Sequence, residues 1–139
     1  MREVRDNVLY LDGCNTKELA QQYGTPLYVI SETEIVNRIQ ELKTDFVDRY
    51  ENVRVAYACK AFCSKAMLKL CQREGLCIDI VSGGELYTAI SAGFPPEQIE
   101  FNGNNKLYSE LEMAIDYGIG RIIVDGLQEL DLIERIWCE

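Results

Sequence analysis

From residue 53 onward the chain repeats one pattern: a short apolar run, a glycine or serine turn, then an amphipathic stretch. The runs begin near 53, 77, 99 and 121, so the spacings are 24, 22 and 22 residues. Strand and helix alternating at that interval mark βα units on a parallel sheet. The pattern predicts strands over 53–59, 77–81, 99–101 and 121–124, with helices over 64–73, 85–92, 108–117 and 127–136. Gly75, Gly93 and Gly118 stand where helices end. Leu107, Leu111, Ala114 and Ile115 form one buried stripe, and Leu130, Ile133 and Ile136 another. Four such units fit a complete doubly wound sheet or the first half of an eight-unit barrel, which takes about 250 residues. Periodicity alone leaves both open.

Ahead of the repeat, Thr16 to Tyr23 reads as a short helix closed by Gly24. Pro26 stops helix formation, and Leu27-Tyr28-Val29-Ile30 reads as a strand. Ser31 followed by Glu34 is a capping box for an amphipathic helix over about 32–49. No apolar run approaches the roughly 20 residues of a membrane helix, and no signal-peptide pattern follows Met1, so a cytoplasmic location is expected.

Charge and residue usage narrow the chemistry. Fourteen basic and 23 acidic residues give a net charge of −9, which disfavours nucleic acid and anionic membranes as partners. The 139 residues contain no histidine, so a Ser-His-Asp or Cys-His centre cannot be built from them. Six cysteines occur without a Cys-x-x-Cys pair, which does not point to a zinc site. They read as small buried thiols.

Lys60 ends the first strand of the repeat, where parallel α/β folds place reactive groups. Alternation puts Arg54, Ala56, Ala58 and Lys60 on one side, with Val53, Val55, Tyr57 and Cys59 on the other. Two alanines below a lysine would keep a barrel lumen open. Partial loss of hydration favours a neutral, nucleophilic amine that can condense with a carbonyl group. A solvated lysine at a strand end is the alternative. Asp79 lies in the apolar strand Cys-Ile-Asp-Ile-Val, so its carboxylate must be paired, hydrogen-bonded or protonated. It could serve Lys60 or a cofactor, or form a structural ion pair. Ser82-Gly83-Gly84-Glu85 is a second capping box whose glycines could also let backbone approach a ligand. Asn102-Gly-Asn-Asn-Lys106 suits a turn or a polar pocket wall. Glu110, Glu112, Glu129 and Asp131 read as solvated helix faces.

Five segments, in order and spacing, carry a resemblance that covers nearly the whole chain. They are Tyr23-Gly-Thr-Pro-Leu-Tyr-Val29, Tyr57-Ala-Cys-Lys-Ala61, Asp79-Ile-Val-Ser-Gly-Gly-Glu-Leu86, Ala92-Gly-Phe-Pro-Pro96 and Gly103-Asn-Asn-Lys106. Together they resemble the diaminopimelate decarboxylase family, among the pyridoxal-phosphate-dependent amino-acid decarboxylases. The resemblance implies pyridoxal 5'-phosphate as cofactor, Lys60 as the lysine that bonds to it, and Asp79 as a residue close to it. It implies an α/β fold: the first four units of a (βα)8 barrel. Residues 31–139 would form that half barrel, and residues 1–30 a segment joining a β-sandwich domain absent from this chain. It implies decarboxylation of a small amino acid, meso-diaminopimelate, to lysine, by a homodimeric enzyme of which this chain is an inactive part. The family often has histidine where Asn102 stands and a small hydroxyl residue where Leu107 stands. Its phosphate loop, ring-stacking histidine and pyridine-facing glutamate are expected beyond Glu139. An ornithine- or arginine-type decarboxylase of the same fold, or a non-catalytic half barrel that binds a partner, are the competing readings. Unpaired outer strands of a half barrel predict self-association.

Overall fold

The computed structural model describes residues 2–138, in two compact units divided between Glu51 and Asn52.

The first unit opens with an antiparallel three-stranded sheet, β1 (Arg2–Arg5), β2 (Val8–Leu11) and β3 (Cys14–Asn15). Both connections are two residues long, and Asp6, Asn7, Asp12 and Gly13 all have positive φ. That is the primed-turn geometry whose twist matches paired strands, and Asp, Asn and Gly tolerate it best. Helix α1 (Thr16–Tyr23) follows, its first turn capped by the Asn15 side chain. Residues 27–30 form no strand, because no described residue pairs with them. Helix α2 (Glu32–Asp45) begins at Ser31, whose hydroxyl accepts the Glu34 N–H at 3.0 Å. The Glu34 carboxylate turns to Arg2 at 3.3 Å instead of closing the box. Phe46 ends the helix, and a separate 3-10 turn covers Val47–Arg49.

The second unit is the predicted repeat. Strands β4 (Ala56–Ala58), β5 (Cys77–Ile80), β6 (Ile99–Phe101) and β7 (Arg121–Ile122) alternate with helices α3 (Lys65–Arg73), α4 (Gly83–Ala92), α5 (Tyr108–Tyr117) and α6 (Leu127–Cys138). All pairs are parallel, and the strand order is β4-β5-β6-β7. That order settles what periodicity left open. A doubly wound sheet reverses its direction of growth at a switch point. Here every connection steps the same way, so right-handed crossovers put all helices on one face, as in a barrel.

Ile78, Ile80, Ile99 and Phe101 are fully buried on the helix side, against Leu68, Leu86 and Leu111 from α3, α4 and α5. Burying each such side chain contributes roughly 1.5–3 kcal/mol, so this layer is the main store of stability in the unit. The opposite face carries a row in register across all four strands: Ala58, Asp79, Glu100 and Arg121. Glu100 and Arg121 pair there at 2.6 Å. No helix among the described residues is long and apolar enough to cross a membrane.

Candidate active site at the carboxyl ends of the strands

Lys60 lies two residues past the end of β4, in the 3-10 turn Cys59–Ala61. The expected strand through residue 59 stops at Ala58, so simple alternation no longer assigns the lysine a side. The turn is held on both flanks. Cys59 is 1% exposed, and the Tyr57 hydroxyl donates to the Phe62 carbonyl at 3.0 Å. Burial, with the neighbouring thiols Cys71, Cys59 and Cys63, raises the Tyr57 pKa, which keeps the phenol a donor. Burial also pushes the Cys59 thiol far up, assisted by Cys63 and Glu85. Cys59 is therefore an inert packing thiol that fixes the turn, while Lys60 itself is exposed. Below it, Ala56 and Ala58 present only methyl groups.

Asp79 is the register partner of Ala58 on the adjacent strand. Of the alternatives for its carboxylate, the structure selects a hydrogen bond. Asn102 Nδ2 donates to Asp79 Oδ1 at 2.6 Å. Asn102 immediately follows β6, and its backbone N–H donates to Ile80 O at 2.8 Å. The pairing depends on strand register, which the sequence did not disclose; the signal was an asparagine one position past an apolar strand end.

The Ser-Gly-Gly-Glu segment is structural. Ser82 accepts the Glu85 N–H at 3.3 Å, and the Glu85 carboxylate takes the Val81 N–H at 2.7 Å. Gly83 N–H donates to Glu110 Oε1 at 2.6 Å, so that donor at the helix start is taken up within the fold. A Cβ on Gly83 would lie 2.9 Å from Glu110 Cγ, which explains the glycine. Glu110 Oε2 also accepts the Leu107 N–H at 2.9 Å. Glu110 is therefore a tie between α4 and α5, not the solvated residue expected from its helix position.

Glu129 likewise departs from expectation. Its side chain is 11% exposed and sits 2.6 Å from Lys106 Nζ, whose side chain is 1% exposed. The same ammonium donates to Gly103 O and Ile123 O, each at 2.8 Å. Two carbonyl oxygens accept from the ammonium and the Glu129 carboxylate balances its charge, the condition for burying a lysine. The Asn102–Lys106 segment is thus a fastened loop between β6, β7 and α6. No group of three or more Cys, Asp or Glu side chains among the described residues is placed to hold a metal ion.

An exposed amine on an anchored turn, a carboxylate one strand away, and two alanine methyls below the amine suit a planar aldehyde cofactor. Residues 32–139 match the pyridoxal binding domain of pyridoxal-dependent decarboxylases. The chain belongs to that family. It is 52% identical over 131 residues to a diaminopimelate decarboxylase of Bacillus methanolicus, covering 94% of this chain and 30% of that one. The Bacillus subtilis diaminopimelate decarboxylase is 47% identical over 138 residues, covering 99% and 31%. Among solved structures, diaminopimelate decarboxylase from M. jannaschii in complex with L-lysine superposes with a TM-score of 0.90 at 38% identity, over 98% of this chain and 32% of that one. The chain spans about 30% of the length of the curated relatives it matches. Its four-stranded parallel sheet corresponds to the first part of the decarboxylase barrel.

Proposed function

We propose that this chain supplies the lysine-bearing part of a pyridoxal-phosphate-dependent decarboxylase that converts meso-diaminopimelate to lysine. The observation that carries the reading is Lys60: an exposed amine on a turn pinned by Cys59 and Tyr57, at the carboxyl end of β4, inside the matched domain. The substrate assignment rests on the identity to the Bacillus methanolicus and Bacillus subtilis enzymes. Bound pyridoxal phosphate supplies the electron sink that decarboxylation requires.

The chain's own residues do the remaining work. Lys60 holds the cofactor through its amine, and its side chain is free to swing because only the backbone of the turn is pinned. Asp79 presents a carboxylate beside it, oriented by Asn102. Ala56 and Ala58 leave the open face clear. Residues 31–139 form the first half of the barrel, and residues 1–30 join a β-sandwich domain, for which the antiparallel β1–β3 sheet is the support. The complete enzyme is a cytoplasmic homodimer, and these 139 residues alone release no lysine.

The test is a chimera in which this chain replaces the matched stretch of the Bacillus methanolicus enzyme. We expect it to release lysine from meso-diaminopimelate, and the Lys60→Ala chimera to release none. A folded chimera that binds the cofactor elsewhere than Lys60, or prefers ornithine, would overturn the reading.

A further inference from the structure

We propose that Asn102 is a positioning residue for the cofactor site, acting on Lys60 chemistry through Asp79. The inference rests on the reading of Lys60 and Asp79 given above. Among the described residues, Asn102 is the one hydrogen-bond partner of the Asp79 carboxylate, at 2.6 Å. A carboxylate on a short side chain can rotate, and without that amide nothing on the sheet face fixes its plane. The neighbours in the register row do not substitute: Ala58 has no polar group, and Glu100 is engaged with Arg121 at 2.6 Å.

The amide can hold the carboxylate only if its own loop is rigid, and the loop is fastened along its length. At its start, Asn102 N–H joins Ile80 O at 2.8 Å, setting the residue level with the end of β5. Gly103 then turns at φ 115°, where a Cβ would press on Val81 O at 3.3 Å. Any side chain there would be strained and would push the loop off the β5 edge. At its end, Lys106 is clamped between Gly103 O, Ile123 O and Glu129, and Leu107 N–H is held by Glu110. Buried and charge-assisted bonds of this kind give a fixed backbone from which one amide points at one carboxylate. The other Asp79 oxygen is left for the cofactor or the substrate amine.

The test is a double-mutant cycle on the chimera in which this chain replaces the matched stretch of the Bacillus methanolicus enzyme. Asn102→Leu, Asp79→Ala, the double variant and Asn102→His are each incubated with subsaturating pyridoxal phosphate and reduced with borohydride. The adduct at Lys60 is then quantified by mass spectrometry against the chain's five other lysines. Circular dichroism and urea midpoints confirm that each variant folds. We expect Asn102→Leu to lower Lys60 labelling about tenfold, the scale of one hydrogen bond to a charged group, with the other lysines unchanged. In the Asp79→Ala background the same substitution should change nothing, and Asn102→His, which keeps a ring N–H donor, should restore most of the labelling. Equal losses in both backgrounds would overturn the proposal and make Asn102 a loop-stability residue. Unselective labelling of the unsubstituted chimera would instead remove the Lys60 reading, and the proposal with it.

Discussion

Replacing Lys106 by methionine isolates the buried clamp behind the Asn102 loop. Methionine keeps the length and most of the volume but removes the charge. The substitution leaves the Glu129 carboxylate, 11% exposed, without the cation 2.6 Å away. It also strips a donor from the carbonyls of Gly103 and Ile123. Breaking one side of a buried ion pair costs about 3–5 kcal/mol, mostly the penalty of an uncompensated charge. The double variant Lys106→Met with Glu129→Leu removes that charge as well. Its remaining loss is the two carbonyls and the Asp125 N–H that Glu129 accepts at 3.0 Å, so about 1–2 kcal/mol is expected. Urea unfolding followed by far-ultraviolet circular dichroism gives both numbers. The reasoning fails if Lys106→Met costs under about 1 kcal/mol, or if the double variant is no more stable than the single.

Three further outcomes follow from the packing. Gly83→Ala should cost about 1–2 kcal/mol by driving Glu110 off the α4 start, whereas Gly84→Ala, whose nearest neighbour is Ser82 Oγ at 3.9 Å, should be neutral or stabilise by up to ~1 kcal/mol; thermal melts of the pair check the contrast. Thiol labelling under native conditions should modify Cys14 and Cys138, both exposed, well before Cys59 and Cys71, which are buried with pKa values raised by burial; peptide mapping at short times reads the order. Stability should also fall at high pH. Cys71 is pushed up from 9.0 to about 11 by burial, so the unfolded thiol loses its proton first. The folded state then binds more protons than the unfolded one between those values, and stability declines as pH rises through the window, by ~2–3 kcal/mol for this group. Urea midpoints at pH 8 and pH 10.5 measure it, and Cys71→Ala should reduce the difference, leaving the part contributed by Cys59, which burial raises further.

The repeat was legible because each unit is punctuated by residues with one physical use. Helix α5 lies where expected, over 108–117, since Gly118 takes the left-handed conformation that ends it. Strand β6 matches because Ile99 and Phe101 flank one polar residue inside a buried layer. Helices α3 and α4 start at Ser64 and Ser82, whose hydroxyls accept the first-turn N–H groups of Met67 and Glu85 as capping requires. The antiparallel sheet over residues 2–15 went unread, although Asp12-Gly13 between Leu11 and Cys14 is a hairpin signal. The apolar run 27–30 looked like a strand, but a strand needs a partner, and composition does not provide one. For the candidate site, Lys60 and Asp79 were singled out by chain position and residue type. Their supports were not. Asn102, Glu110 and Glu129 act across 23 to 27 positions of sequence, on Asp79, Gly83 and Lys106 in turn, and only register and helix docking bring them together. Glu129 stands 23 residues from Lys106, and a glutamate on a helix carries no mark that its carboxylate is turned inward.

The central claim is that Lys60 is the cofactor lysine, and it can be tested directly. Incubation of the Bacillus methanolicus chimera that carries this chain with pyridoxal phosphate, reduction with borohydride and peptide mass spectrometry locate any covalent adduct. The account predicts labelling concentrated on the peptide that carries Lys60 and lost in Lys60→Ala. In the folded chimera, labelling spread evenly over this chain's six lysines, and unaltered by that substitution, would contradict it.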